Sequence, residues 1–205
     1  LKTNFSVYNQ DLAVQMDGLT RIIESNPMLD AVLQKAVELE IKHYYVGAGC
    51  IAQSVWNHLL GLPLQHGIND VDFVYYDADV SYDKECEVIH NVREQFGDMD
   101  MPVRLDIKNQ ARVHLWYEQH FGYTIQPYNS LEEAINTWPT TATALGVRRT
   151  EGGAWKVYAP FGLNDLFGLI VRANKVQITQ EIYNNKVQRW RANWPGLRVI
   201  PWESN

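Results

Sequence analysis

"GINDVDFVYYDADV", residues 67–80, places Asp70 and Asp72 on either side of one valine, just ahead of an apolar and aromatic run. That run predicts a strand, and strand periodicity turns both aspartates to one face, roughly 6–7 Å apart along the chain. Two carboxylates so placed repel each other, and neither is cheaply buried. Either the pair is a polar strand entry after a loop, or a cation sits between the two side chains. The neighbouring segments bear on that choice.

Upstream, "HYYVGAGC" (43–50) is a short β-type run ending in Gly47-Ala48-Gly49-Cys50, and "IAQSVWNHLLG" (51–61) continues as a helix stopped by Gly61. A turn poor in Cβ atoms lets the backbone approach a phosphate, and the helix start directs unpaired N–H groups toward it. Downstream, "PVRLDIKN" (102–109) alternates, with Val103, Leu105 and Ile107 on one face and Arg104, Asp106 and Lys108 on the other. Asp106 is thus a third acid on a strand. Three carboxylates suit a hard divalent cation, and Mg2+ (or Mn2+) keeps coordination positions for substrate phosphates. Asp77, Asp79 and Asp83 lie beyond the strand and read as loop and capping residues.

The same glycines also fit a dinucleotide fingerprint, G-x-G-x-x-A from Gly47 to Ala52. Position argues against it. The ribose-binding acid should follow the apolar run of the next strand, whereas Asp70 and Asp72 precede it, and Asp106 is left unexplained.

The 205 residues are 46% hydrophobic and 20% charged, enough for a full core and unlike a disordered composition. A formal charge of −6 argues against broad nucleic-acid binding, so no strong nucleic-acid signal is read, although a local basic strip stays compatible with it. Cys50 and Cys86 are the only cysteines; without a CxxC a zinc knuckle is excluded, and a reducing, cytoplasmic location is expected. No apolar run approaches 18 residues, so no membrane span is expected.

Elsewhere the pattern predicts a helix over 10–24 with Leu12, Met16, Leu19, Ile22 and Ile23 inward. A second helix starts at Pro27, and others cover 81–96 and 110–120. "SLEEAINTW" opens with a capping box, Ser130 with Glu133, while "ATALGVRR" and "AWKVYAP" read as a hairpin. "LNDLFGLIV" and "TQEIYNNKVQRWRANW" read as terminal helices, the second with Ile182, Tyr183, Val187, Trp190 and Trp194 along one side. A soft boundary near 125–130 divides a core with N-terminal helices (1–127) from a C-terminal lobe packed on it (128–205). Arg112 and Arg148 are the candidate clamps for phosphate oxygens, with Arg148 expected to point into a cleft between the two parts. Cys50 reads as a small apolar residue in the first helical turn, and His114 and His120, six apart on one helix, are poorly spaced for one metal.

The Gly turn into a helix, the Asp-x-Asp strand and the later acid together resemble the polymerase-β-type nucleotidyltransferase superfamily. More narrowly, "GAGCIAQSVWNHLLG", "INDVDFVYYD", "IKNQARVHLWY", "PTTATALGVR" and "YAPFGLNDLF" resemble a bacterial group of nucleotidyltransferase-like proteins. The resemblance implies an α+β fold, a mixed sheet flanked by helices with a small C-terminal lobe. It implies Asp70 and Asp72 as ligands of the metal pair, Asp106 as third ligand or base, and Gly47, Ala48, Gly49 and Cys50 as the phosphate-binding turn. The implied reaction is magnesium-dependent transfer of a nucleoside monophosphate from an NTP to a hydroxyl or phosphate acceptor. One departure is Cys50 after Gly49, where the superfamily has glycine or serine; a thiol replaces a hydroxyl poorly as a phosphate donor. The alternatives are a nucleotide-binding regulatory module without turnover and a phosphohydrolase using water as acceptor.

Overall fold

The computed structural model describes residues 7–97, 99 and 101–204, so the outer ends of the expected two-part division, residues 1–6 and 205, lie outside the described residues. Two helices, α1 (Leu12–Glu24) and α2 (Pro27–Ala36), precede β1 (Tyr44–Gly47), α3 (Gly49–Leu60), β2 (Asp70–Tyr75), α4 (Tyr82–Phe96) and β3 (Arg104–Asn109). A 3-10 turn (Gln110–Arg112) leads into α5 (Val113–Phe121), followed by α6 (Leu131–Asn136), β4 (Gly146–Arg149), β5 (Trp155–Tyr158) and α7 (Asn164–Phe167). The chain finishes with β6 (Ile170–Val171), α8 (Gln180–Asn193), β7 (Arg198–Val199) and a short 3-10 turn (Trp202–Ser204). No helix among the described residues is long and apolar enough to cross a membrane.

Five strands form one mixed sheet in the order β3-β2-β1-β4-β5. β2 runs parallel to β3 and antiparallel to β1, and β4 pairs with the other edge of β1. The predicted hairpin therefore exists, but its first strand is built into the sheet that carries the Asp-x-Asp pair. Alternation sorts the two sheet faces. Val46, Val71, Phe73, Tyr75 and Ile107 pack in the main core with Ile23, Leu29, Ile51 and Trp56 from the helices. Tyr45 and Val74 face the other way, against Leu131, Ile135 and Ala144. Asp70 and Asp72 share the parity of Val74 and so belong to this second face.

Local chemistry sets most helix ends. Asn26 accepts from the Leu29 N–H ahead of Pro27, Ser130 accepts from the Glu133 N–H, and Gly61 closes α3 in the left-handed conformation. The Glu133 carboxylate reaches back to Asn129 N at 2.6 Å, one residue beyond the expected capping partner. In α1, Leu12 is exposed rather than inward; Gln15 is buried instead, and its amide donates to Val7 O and Asn164 Oδ1.

One helix prediction fails. "LNDLFGLIV" makes a single turn, α7, and then β6, which pairs in parallel with β7. Leu169 adopts φ 53°, which ends the helix, and a Cβ on Gly168 would sit 2.6 Å from the Tyr8 ring. The Gly168 contact comes from a residue distant in sequence, and the pairing of β6 with β7 spans all of α8, neither of which a helical pattern over nine residues reveals.

Candidate active site

Strand register assembles the site. Asp72 lies opposite Gly47 on one side and opposite Asp106 on the other, while Asp70 faces Arg104. The three aspartates, with Ala48 and Gly49, line one cleft of about 830 Å³. Burial pushes the Asp72 carboxyl up to about 6, the charges of Asp70 and Asp106 add to that, and Lys108 and Lys186 oppose it. Lys108 Nζ donates to Asp106 Oδ2 at 2.5 Å, and Arg104 lies 3.5 Å from Asp70 Oδ2. Among the described residues no three His, Cys, Asp or Glu side chains are gathered closely enough to hold a metal ion as they stand. The donor chemistry nevertheless fits a divalent cation: three carboxylates face one cleft, and Asp72 carries a charge its surroundings compensate only in part.

The glycine turn works differently from its sequence reading. Neither Gly47 nor Gly49 has a positive φ; Ala48 does, at φ 56° and ψ −130°, a backbone geometry that favours glycine. Gly47 is demanded by packing, since a Cβ there would lie 2.5 Å from Leu145 O. At Gly49 a Cβ would meet only the flexible Gln53 amide, at 3.3 Å, so its absence keeps the start of α3 open to the cleft. Cys50 is buried, and its thiol donates to Gly47 O at 3.1 Å. Burial, reinforced by the neighbouring Asp72 charge, pushes the thiol far above its ordinary range. The side chain is therefore a small buried group, and Cys50 can meet a phosphate only through its backbone.

The two candidate arginines are elsewhere. The Arg112 guanidinium pairs with Glu85 of α4 at 2.7 Å, donates to Val80 O and lies over the Tyr82 ring. The 3-10 turn after β3 directs it to α4, away from the cleft. Arg148 lies over Tyr44, at the end of β1 remote from the Gly turn, because β4 runs antiparallel and brings Gly146, not Arg148, beside Gly47. Its expected entry into the cleft is thus not observed. Arg149 is tied to Glu24 and Asp30. Thr143 lines the cleft with its hydroxyl paired to Thr140, and Thr141 bonds Asp165. His120 lines the cleft beside Trp116, whereas His114 does not.

Several cleft residues escaped sequence reasoning: Gln53 of α3, Arg104 and Lys108 of β3, and above all Lys186 and Arg189 of α8. The available signal was charge segregation. Residues 172–198 carry six basic side chains and one acidic one in a chain of net charge −6.

A five-stranded mixed sheet with a Gly turn into α3 and acids on two adjacent strands defines the nucleotidyltransferase fold. The chain belongs to the Nucleotidyltransferase family, whose sequence profile matches residues 34–199. Its reaction class is accordingly NTP-using nucleotidyl transfer. An NMR structure described as revealing a CCA-adding enzyme head domain is 25% identical with a TM-score of 0.70, covering 89% of this chain and 95% of that one. The apo form of a CCA-adding enzyme shares the fold at 11% identity and a TM-score of 0.51, over 90% of this chain but only 43% of that one. No curated protein matches the sequence.

Proposed function

We propose that the protein transfers a nucleoside monophosphate from an NTP to a hydroxyl or phosphate acceptor, in a reaction dependent on Mg2+ or Mn2+. The observation that carries this reading is the register of β1, β2 and β3, which puts Asp72 beside both the Gly turn and Asp106. Asp70 and Asp72 would hold the donor-associated cation, with Asp106 as the third ligand. When bound, the cation supplies charge neutralisation for the carboxylates and the triphosphate. The protein's own groups bind and orient the rest: the open start of α3 meets a phosphate, and the cleft walls position donor and acceptor. The acceptor oxygen bonds to the α-phosphorus, the bond from that phosphorus to the β-phosphate breaks, pyrophosphate leaves, and the acceptor proton passes to Asp106 or solvent. Residues 128–205 are taken as the part that supplies the second wall of the cleft.

The test is incubation with each α-labelled NTP, Mg2+ or Mn2+ and a cell extract. Label retained on an acceptor, released pyrophosphate and loss of both in Asp106→Asn support the reading. Label recovered only as free nucleotide indicates hydrolysis. The Lys108 contact to Asp106 favours a second reading, binding without turnover; NTP binding by calorimetry with no labelled product in any extract would establish it.

A further inference from the structure

α8 reaches the acid cleft from the far end of the chain, and its placement is over-determined. Trp190 and Trp194 pack edge-on against Trp56 of α3, at 5.4 and 5.5 Å between ring centres. Trp194 Nε1 donates to Asn57 Oδ1 at 2.7 Å. The same Asn57 donates through Nδ2 to Leu64 O and His66 O, and the His66 ring nitrogen meets Asn193 O at 2.9 Å. One buried amide therefore ties α3, the loop before β2 and the end of α8 together. Because α3 begins at the Gly turn and β2 begins at Asp70, this clasp holds α8 in register with both halves of the site.

One turn back from the clasp, Lys186 and Arg189 line the same cleft as Asp70 and Asp72, with Lys186 close enough to feel both carboxylate charges. Lys186 lies over the Trp190 ring at 5.3 Å. None of the ion pairs among the described residues involves either side chain. Burial and the nearby Arg189 hold Lys186 below the ordinary lysine range, against the opposing pull of Asp72 and Asp70. Two cations and two carboxylates lining one cleft of about 830 Å³ leave room for a ligand that is itself both: a polyanion carrying a divalent cation.

We propose that Lys186 and Arg189 form the polyphosphate-binding wall of the site, holding the donor phosphates that the divalent cation does not cover. The inference rests on the nucleotidyl-transfer reading and assigns to α8 the role that sequence spacing had suggested for Arg112 and Arg148. It also makes the site composite, since neither the acids of β2 and β3 nor α8 alone can bind the donor.

Calorimetry on the whole chain, with Mg2+ present, tests this with three ligands: an α,β-methylene NTP analogue, the matching NMP and inorganic tripolyphosphate. Lys186→Met and Arg189→Met should each weaken the analogue and tripolyphosphate about tenfold to hundredfold, the range for losing a hydrogen bond to a charged group. NMP binding should change little, Lys186→Arg should recover most of the affinity, and Lys156→Met, at an exposed position on β5, should match wild type. A folded Lys186→Met protein that binds the analogue and tripolyphosphate as wild type does overturns the inference, as does an equal loss for the NMP. If Lys186→Met does not fold, Arg189→Met with the same ligands decides. Lys186-dependent tripolyphosphate binding without NTP binding or transfer would retain the wall and refute the transfer reading. Wild-type protein that binds neither ligand refutes both.

Discussion

Gly61 and Gly67 offer a controlled pair for measuring how firmly α8 is held. Their backbones are nearly alike, φ 64° and 69°, so alanine incurs a similar left-handed strain at each, about 1 kcal/mol net. Their surroundings differ. A Cβ at Gly61 meets nothing within 4 Å, whereas one at Gly67 would lie 2.5 Å from Cη2 and 2.6 Å from Cζ2 of Trp194. Trp194 is fully buried and held by Asn57, so it cannot swing aside without breaking a 2.7 Å hydrogen bond and the contact with Trp56. Overpacking of this kind costs about 1–3 kcal/mol beyond the strain. Gly61→Ala should therefore lose about 1 kcal/mol and Gly67→Ala about 2–4 kcal/mol, measured by urea unfolding. The thermal midpoint should fall by about 2–4 °C per kcal/mol for a chain of this size. Gly67→Ala should also weaken NTP binding, because relief of the clash displaces α8, while Gly61→Ala should not. Equal destabilisation by the two substitutions, or a Gly67→Ala protein with unchanged nucleotide affinity, would refute the claim that Trp194 sets the position of α8.

Three further outcomes are expected. Asp72 has a raised affinity for a proton in the folded protein, so ionisation there lowers stability as pH climbs from about 4 to about 6, and the loss persists above that; Asp70, Asp106, Lys108 and Lys186 are the charges facing it. With chelator present, Asp72→Asn should be more stable relative to wild type at pH 8 than at pH 4, by at most about 3 kcal/mol; a pH-independent difference in urea unfolding would count against this. Ala48→Gly should raise stability by about 1 kcal/mol, the relief of an unfavourable backbone exceeding the entropy glycine adds to the unfolded chain, and a lower melting temperature would contradict that. Arg148→Ala should leave NTP affinity unchanged, and Arg112→Ala should lower stability by about 1–3 kcal/mol through the orphaned Glu85 without directly removing a nucleotide contact. A tenfold affinity loss in a fully folded Arg148→Ala protein would return that residue to the site.

What could be read from the amino-acid sequence was what is local or periodic. Asp70, Asp72 and Asp106 were expected on strands because alternation and side-chain chemistry are properties of a few consecutive residues, and the strands bring them to one cleft; Gly61, Pro27 and Ser130 announce helix ends for the same reason. The Gly47–Cys50 turn was placed correctly, but its conformational burden falls on Ala48, since φ depends on how β1 and α3 must meet. Tertiary structure alone decided which strand neighbours which. β4 pairs with β1 about a hundred residues away, and β6 with β7 across all of α8, through hydrogen bonds that any backbone can make. It also decided which cations line the cleft. Arg112 lies six residues from Asp106 yet is taken by Glu85, whereas Lys186, eighty residues from Asp106, is brought into the cleft of Asp72 by the packing of Trp56, Trp190 and Trp194. A charge carries no address in a one-dimensional pattern. Its destination is set by the burial of its apolar neighbours, which the whole core determines together.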